Sequence, residues 1–153
     1  MFFYRHLFWT DWGKEPKIER STLHGTDRVA IVTKNLTWPN DLAIDHTSER
    51  LYWVDAKYDY LYSVDYDGKN MKLHYELLFN LGIVHPYSLA YSTKNHAIYL
   101  SDWQTDRVYV DTLMDGHNVT SVFQNQGKRK NIGQIRLHED FNNSGGMEFQ
   151  ILK

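Results

Sequence analysis

The sequence predicts an all-β protein built from four-stranded antiparallel blades of a β-propeller, and three observations predict it. An aromatic strand ending in one carboxylate occurs three times: Leu7-Phe8-Trp9-Thr10-Asp11-Trp12, Leu51-Tyr52-Trp53-Val54-Asp55-Ala56 and Ile98-Tyr99-Leu100-Ser101-Asp102-Trp103. The carboxylates lie 44 and 47 residues apart, a period that marks arrays of short-stranded blades. Of the 153 residues, 15% are aromatic and only three are Pro, the composition of a folded sheet protein rather than of a linker or a disordered chain.

The array is expected over residues 1–138. Its first blade, residues 1–35, is incomplete and opens directly on its aromatic strand at residues 7–11. Gly13 and Pro16 punctuate the loop that follows. Residues 17–22 read as the next strand and residues 23–26 as a turn in which Gly25 is free to take positive φ. Residues 28–34, rich in β-branched side chains, read as the third strand. The second blade, residues 36–82, is complete. A Pro-broken loop through Trp38-Pro39-Asn40 leads into an innermost strand at residues 42–45. The aromatic strand at 51–55, a strand at 60–65 and a strand at 71–79 follow, with the turn Asp67-Gly68 before the last.

The third blade, residues 83–127, repeats this order. His85-Pro86-Tyr87 stands where Trp38-Pro39-Asn40 stood, and Leu89-Ala90-Tyr91 where Leu42-Ala43-Ile44 stood. Strands are expected at 98–102, 108–112 and 119–123, with a turn around Asp115-Gly116 that is one residue longer than its counterparts. Residues 131–138 look like the first strand of a fourth blade that goes no further. Residues 139–153 are expected to be a tail, with residues 147–153 either a strand or frayed.

In a propeller each blade packs one face on the blade before it and the other on the blade after, so its strands read as nearly continuous apolar runs. A carboxylate at the end of such a run must accept hydrogen bonds or it costs several kcal/mol. An ionised Asp is acceptor-only, so backbone N–H groups are its natural partners. Asp11, Asp55 and Asp102 are therefore expected to be one structural latch per blade. The competing use, paired carboxylates in acid–base work, needs two groups within about 5 to 10 Å, which one Asp per blade does not arrange.

Other chemistry has little footing. There is no G-x-S-x-G, H-E-x-x-H or phosphate-cradling Gly loop. Asp65-Tyr66-Asp67-Gly68 begins like a calcium loop, but its glycine comes too early and the bidentate Glu is missing. The eight His are scattered with no i, i+4 pair. No metal, no cofactor and no catalytic residue are expected, and the chain is not expected to be an enzyme. A net charge of −2 leaves no footprint for nucleic acid, and the run Lys128-Arg129-Lys130 reads as a solvated loop. There are no cysteines, hence no disulfide framework and no thiolate metal site. No apolar run is long enough to cross a bilayer, and residues 1–6 are too short and wrongly ordered for a signal peptide. Three sequons, at Asn35, Asn118 and Asn142, are candidate glycosylation sites. Large aromatics at loop positions, Trp12, Trp38, Tyr87 and Trp103, should emerge on one rim and offer a protein-binding surface.

The sequence resembles the YWTD repeat, also called the low-density lipoprotein receptor class B repeat. The matches are Leu7-Phe8-Trp9-Thr10-Asp11-Trp12-Gly13, Lys17-Ile18-Glu19-Arg20, Trp38-Pro39-Asn40-Asp41-Leu42-Ala43-Ile44-Asp45, Arg50-Leu51-Tyr52-Trp53-Val54-Asp55-Ala56 and His85-Pro86-Tyr87-Ser88-Leu89-Ala90. Nearest in style are endocytic receptors: the lipoprotein receptor-related proteins, megalin and the vitellogenin receptors. Asp41 stands where the family usually has Gly, and Leu100 where it usually has Trp.

The resemblance implies about half of a six-bladed propeller, from the extracellular side of a single-pass receptor that cycles through endosomes. Its partners would be protein ligands (lipoprotein or yolk-protein class, or growth factors) and flanking cysteine-rich modules of the full-length receptor, with no direct membrane insertion by this segment. Carried over position by position, the ligand-binding rim is Trp12, Trp38, His85, Tyr87 and Trp103, with Ala56 in the third post-Asp seat. His85 is the candidate for acid-dependent ligand release. A growth-factor (Wnt-type) co-receptor or matrix scaffold is the alternative use of the same propeller. A calcium-dependent lactonase on a six-bladed propeller would need carboxylates and Asn converging around one metal, which these repeats do not offer.

Overall fold

The computed structural model describes residues 5–75, 78–112, 118–126, 132–139 and 147–151. Among the described residues thirteen strands form four antiparallel sheets. The first sheet holds β1 (His6–Asp11), β2 (Lys17–Thr22) and β3 (Val29–Val32) in that order. The second holds β4 (Pro39–Asp45), β5 (Arg50–Asp55), β6 (Tyr60–Asp65) and β7 (Lys72–Tyr75). The third holds β8 (Pro86–Ser92), β9 (Ala97–Asp102), β10 (Arg107–Asp111) and β11 (Val119–Gln124). β12 (Ile135–Glu139) and β13 (Met147–Ile151) make a two-stranded sheet. Within each sheet every strand neighbours the next in sequence, as hairpin-linked blades require.

The sheets stack face to face, and the alternation of side chains along a strand shows how. Leu51 and Trp53 of β5 join Ile18 and Val32 in a core between the first and second sheets. Their neighbours Tyr52 and Val54 point the other way, into a core with Leu89, Ile98 and Leu100 of the third sheet. Ala97 and Tyr99 in turn face Ile132 and Ile135. A middle blade thus has no solvent face, and all of β5 beyond Arg50 is buried.

Turns repeat with the blades. Glu49 and His96 take φ of 53° and 50° just before the aromatic strands, and Asp59 and Asp106 each take 56° just before the strands that follow. The first and second blades approach closely at Gly68, where φ is 85° and a Cβ would run into the Ile31 carbonyl of the first sheet.

Three departures from the sequence reading stand out. The innermost strands begin earlier than expected, at Pro39 and Pro86, because Pro is tolerated at a strand's first residue and a register shift follows each at once. The strand expected over 71–79 ends at Tyr75, and a 3-10 helix runs Leu78–Leu81. There the Leu78 N–H donates to the Asp59 carbonyl and the Ile83 N–H to the Leu78 carbonyl (2.7 and 3.1 Å), which turns Leu78 and Ile83 fully inward. The opening strand of the fourth unit does continue: β13 pairs with β12 from Ile135 opposite Ile151 to Glu139 opposite Met147. The turn around Asp115-Gly116 and the basic run at 128–130 lie outside the described residues.

Candidate functional site

Each aspartate stands where its aromatic strand ends. Asp55 is opposite Pro39, and Asp102 is opposite Pro86. One oxygen of Asp55 accepts the Thr37 and Trp38 N–H groups (2.6 and 3.2 Å), and the other accepts Lys57 N–H at 3.0 Å. Asp102 repeats the arrangement with Val84 and His85 N–H (2.5 and 2.7 Å) on one oxygen and Gln104 and Thr105 N–H (2.9 and 2.6 Å) on the other. Each carboxylate thus ties the loop leading into its blade to the loop leaving the aromatic strand. A backbone bond runs beside it, from Ala56 N–H to the Trp38 carbonyl and from Trp103 N–H to the His85 carbonyl. Asp11 is the exception. Among the described residues it accepts one backbone N–H, from Gly13 at 2.9 Å, with Lys17 at 4.0 Å.

The five rim residues lie at this same end of the sheets. Asn40 Nδ2 donates to the Pro86 carbonyl at 3.1 Å, so β4 and β8 start side by side. Phe8 packs on Tyr66 with ring centroids 4.8 Å apart, and Arg20 donates to the Tyr66 carbonyl. Tyr66 follows β6 at the end opposite Asp55, so β1 runs in the direction of β5 and brings Trp12 to the common rim. Trp12 is 66% exposed, and Trp38, Tyr87 and Trp103 are 43 to 44% exposed. His85 lies against Trp103, ring centroids 5.9 Å apart. Lys57 Nζ sits 5.1 Å over the Trp38 ring, a cation–π contact that the repeat pattern did not mark. Exposed aromatics of this size on one rim are the kind that anchor protein partners.

Behind the rim, burial pushes the Asp59 carboxyl up from the ordinary value, and the nearby charges of Asp102 and Asp55 add to this while His85 opposes it. Asp41 is a joint between blades. It accepts Ser88 Oγ–H at 2.5 Å and Leu89 N–H at 3.1 Å from the third sheet, and Leu42 N–H from its own strand. Burial pushes its carboxyl up, and the hydrogen bonds from Ser88, Leu89 and Leu42 only partly offset that. Ser88 Oγ accepts Ile135 N–H at 3.2 Å, so the joint repeats from blade three to β12. The sequence held a signal for this, since Asp41 and Ser88 occupy one repeat position 47 residues apart.

Asn35 is exposed at φ 56° and Asn118 is exposed just before β11, while Asn142 lies outside the described residues. Among the described residues no group of three or more His, Asp or Glu is placed to hold a metal ion. No helix among them is long and apolar enough to cross a membrane.

Residues 5–46 match the family described as low-density lipoprotein receptor repeat class B. The chain carries the YWTD repeat. Over 103 residues, 67% of its length, it is 38% identical to Vitellogenin receptor Yl of Drosophila melanogaster. Over 122 residues, 80% of its length, it is 30% identical to the vitellogenin receptor of Solenopsis invicta. Over 60 residues, 39% of its length, it is 40% identical to the human low-density lipoprotein receptor-related protein 5-like protein. It spans 5%, 6% and 24% of those relatives. A chain in the nidogen/laminin complex superposes with a TM-score of 0.74 at 24% identity, over 87% of this chain and 48% of that one. Virginiamycin B lyase of Staphylococcus aureus gives 0.63 at 11% identity, over 85% and 41%. At such identities these two speak for the fold alone, and the fold is a partial β-propeller of YWTD blades.

Proposed function

We propose that this chain is a non-enzymatic propeller segment of an endocytic receptor of the low-density lipoprotein receptor class, facing the extracellular and endosomal side of the membrane. It contributes to binding protein ligands of the lipoprotein or yolk-protein class and to releasing them in acid. In this reading Asp55 and Asp102 hold the loops, Trp12, Trp38, Tyr87 and Trp103 meet the ligand, and His85, against Trp103, is the residue through which acid release is tested. The observation that carries the reading is the 38% identity to an insect vitellogenin receptor over two thirds of the chain.

The test is binding of immobilised chain to a yolk lipoprotein near pH 7 and again at about pH 5 to 6, the range in which His titrates. The expected result is binding that weakens in acid and falls about tenfold or more in Trp38→Ala or Trp103→Ala, as loss of an aromatic anchor does. Binding that ignores both aromatics sinks the rim, and equal binding at the two pH values, kept in His85→Gln, sinks acid release. A second reading, a growth-factor co-receptor or matrix scaffold, rests on the 40% identity to the human receptor-related protein over 60 residues. It gains if the same surface takes a secreted growth factor or a laminin and refuses lipoprotein.

A further inference from the structure

Two sequons fall among the described residues, and the fold puts them at opposite ends of the sheets. Val32, the last residue of β3, pairs with Ile18, next to the Asp11–Lys17 pair. The loop at 33–38, which holds Asn35, therefore leaves β3 on the rim. Asn118 precedes β11, whose first residue Val119 lies opposite Asp111 at the end of β10. Since β10 begins at Arg107, opposite Asp102, Asn118 stands at the end away from the rim.

An N-linked glycan is bulky and strongly hydrated, so its asparagine must face water and must not be needed by the fold. Asn35 meets both demands. It is exposed, as are Thr33 and Lys34 before it, whereas Leu36 packs against the core between the first and second sheets. Its backbone is left-handed, with φ 56°, which Asn tolerates better than most residues. Its side-chain amide has no hydrogen-bond partner among the described residues. Thr37, the third residue of the sequon, gives the Asp55 latch only its backbone N–H, at 2.6 Å. Trp38 follows in the same loop. Three residues span at most about 11 Å of chain, so a group attached to Asn35 stands beside that indole, one face of which Lys57 already holds. Trp103 is one blade further on, against His85.

We infer that Asn35 carries an N-linked glycan that covers part of the Trp38 end of the rim, so that its presence sets how freely partners reach Trp38. The donor is a lipid-pyrophosphate-linked oligosaccharide. Asn35 Nδ2 bonds to C1 of its first sugar and gives up a proton, while the C1–O bond breaks and the lipid pyrophosphate leaves with the electron pair. The inference rests on the extracellular placement proposed above, because only a chain that enters the secretory route meets that donor. A glycan on Asn118, at the far end, leaves the rim untouched.

The full chain is produced in insect cells behind a cleavable secretory leader, beside two variants that break the sequon. Asn35→Asp keeps a residue that tolerates the left-handed backbone, and Thr37→Ala keeps the N–H that Asp55 accepts. Glycopeptide mapping reads occupancy at Asn35. A bulky indole-selective alkylating reagent, followed peptide by peptide, reads access to Trp38 and Trp103. The expected result is a glycan at Asn35 that peptide-N-glycosidase removes and that both variants lack. Labelling of Trp38 then rises severalfold in both variants and after the glycosidase, while that of Trp103 is unchanged. A variant that unfolds betrays itself by labelling at the fully buried Trp53, and the enzymatically trimmed chain then decides. Neither readout needs a ligand, so a chain that refuses yolk lipoprotein sinks the ligand reading and leaves this one standing. Bare Asn35 in chain whose leader has been cleaved overturns the inference, as does Trp38 labelling that is equal with and without the glycan.

Discussion

An ionised carboxylate inside a protein is tolerable only when N–H groups surround it, and the three aspartates meet that demand to different degrees. Asp55 and Asp102 are 1% and 0% exposed, and replacing either by Ala strands several backbone donors at once. Each loss is expected to cost on the order of 3 kcal/mol. Asp11, half-exposed and holding one N–H, is expected to cost about 1 kcal/mol or less. Urea midpoints of the three Ala variants check the order, and an Asp11 variant as damaged as the others contradicts it. The aspartate positions were legible in the sequence because a charge closing an apolar run is anomalous. The inequality among them was not, since it depends on whether a lead-in loop lies alongside. Lys57 over Trp38 escaped for the same reason: a cation–π contact leaves no periodic trace. The shared seat of Trp9, Trp53 and Leu100 shows what the repeat tolerates. Trp9 Nε1 donates to Glu19, Trp53 Nε1 has no acceptor among the described residues, and Leu100 has nothing to donate. The seat asks for apolar volume rather than for an indole.

Between elements, the blades are joined by apolar faces and by one polar seam. Strand order and the alternating faces of β5 and β9 could be read from aromatic runs and turn residues. The seam through Asp41, Ser88 and Ile135 left only the shared repeat position of Asp41 and Ser88 as a trace, because its bonds cross between strands far apart in sequence. The 3-10 helix Leu78–Leu81 was hidden too, since an apolar stretch reads as strand or helix until its backbone partners are known. The seam has a consequence in pH. Burial raises the Asp41 carboxyl, so the folded state binds a proton more tightly than the unfolded chain does. The stabilisation this gives is full below the unfolded carboxylate value and is lost as pH rises through the higher folded one. Asp41→Asn keeps an acceptor for Ser88 and Leu89 without the buried charge. It is expected to leave stability near pH 7 unchanged or raised, and to remove the decline between acid and neutral pH. Asp41→Ala is expected to lose about 1 to 3 kcal/mol. Thermal unfolding of the three proteins across that range decides, and an Asn variant as weak as the Ala variant contradicts the account.

For the whole molecule, the repeat governs both shape and use: sheets stack in sequence order, every lead-in loop comes to one rim, and the exposed aromatics gather there. The central claim is that each complete blade is pinned at that rim by its own carboxylate. Amide hydrogen exchange, followed residue by residue, tests this most directly. The account predicts slow exchange at Thr37, Trp38, Val84 and His85 in the unaltered chain. In Asp102→Ala, Val84 and His85 become fast while Thr37 and Trp38 stay slow. Fast exchange at all four amides in the unaltered chain, or loss of both pairs together in that variant, would contradict it.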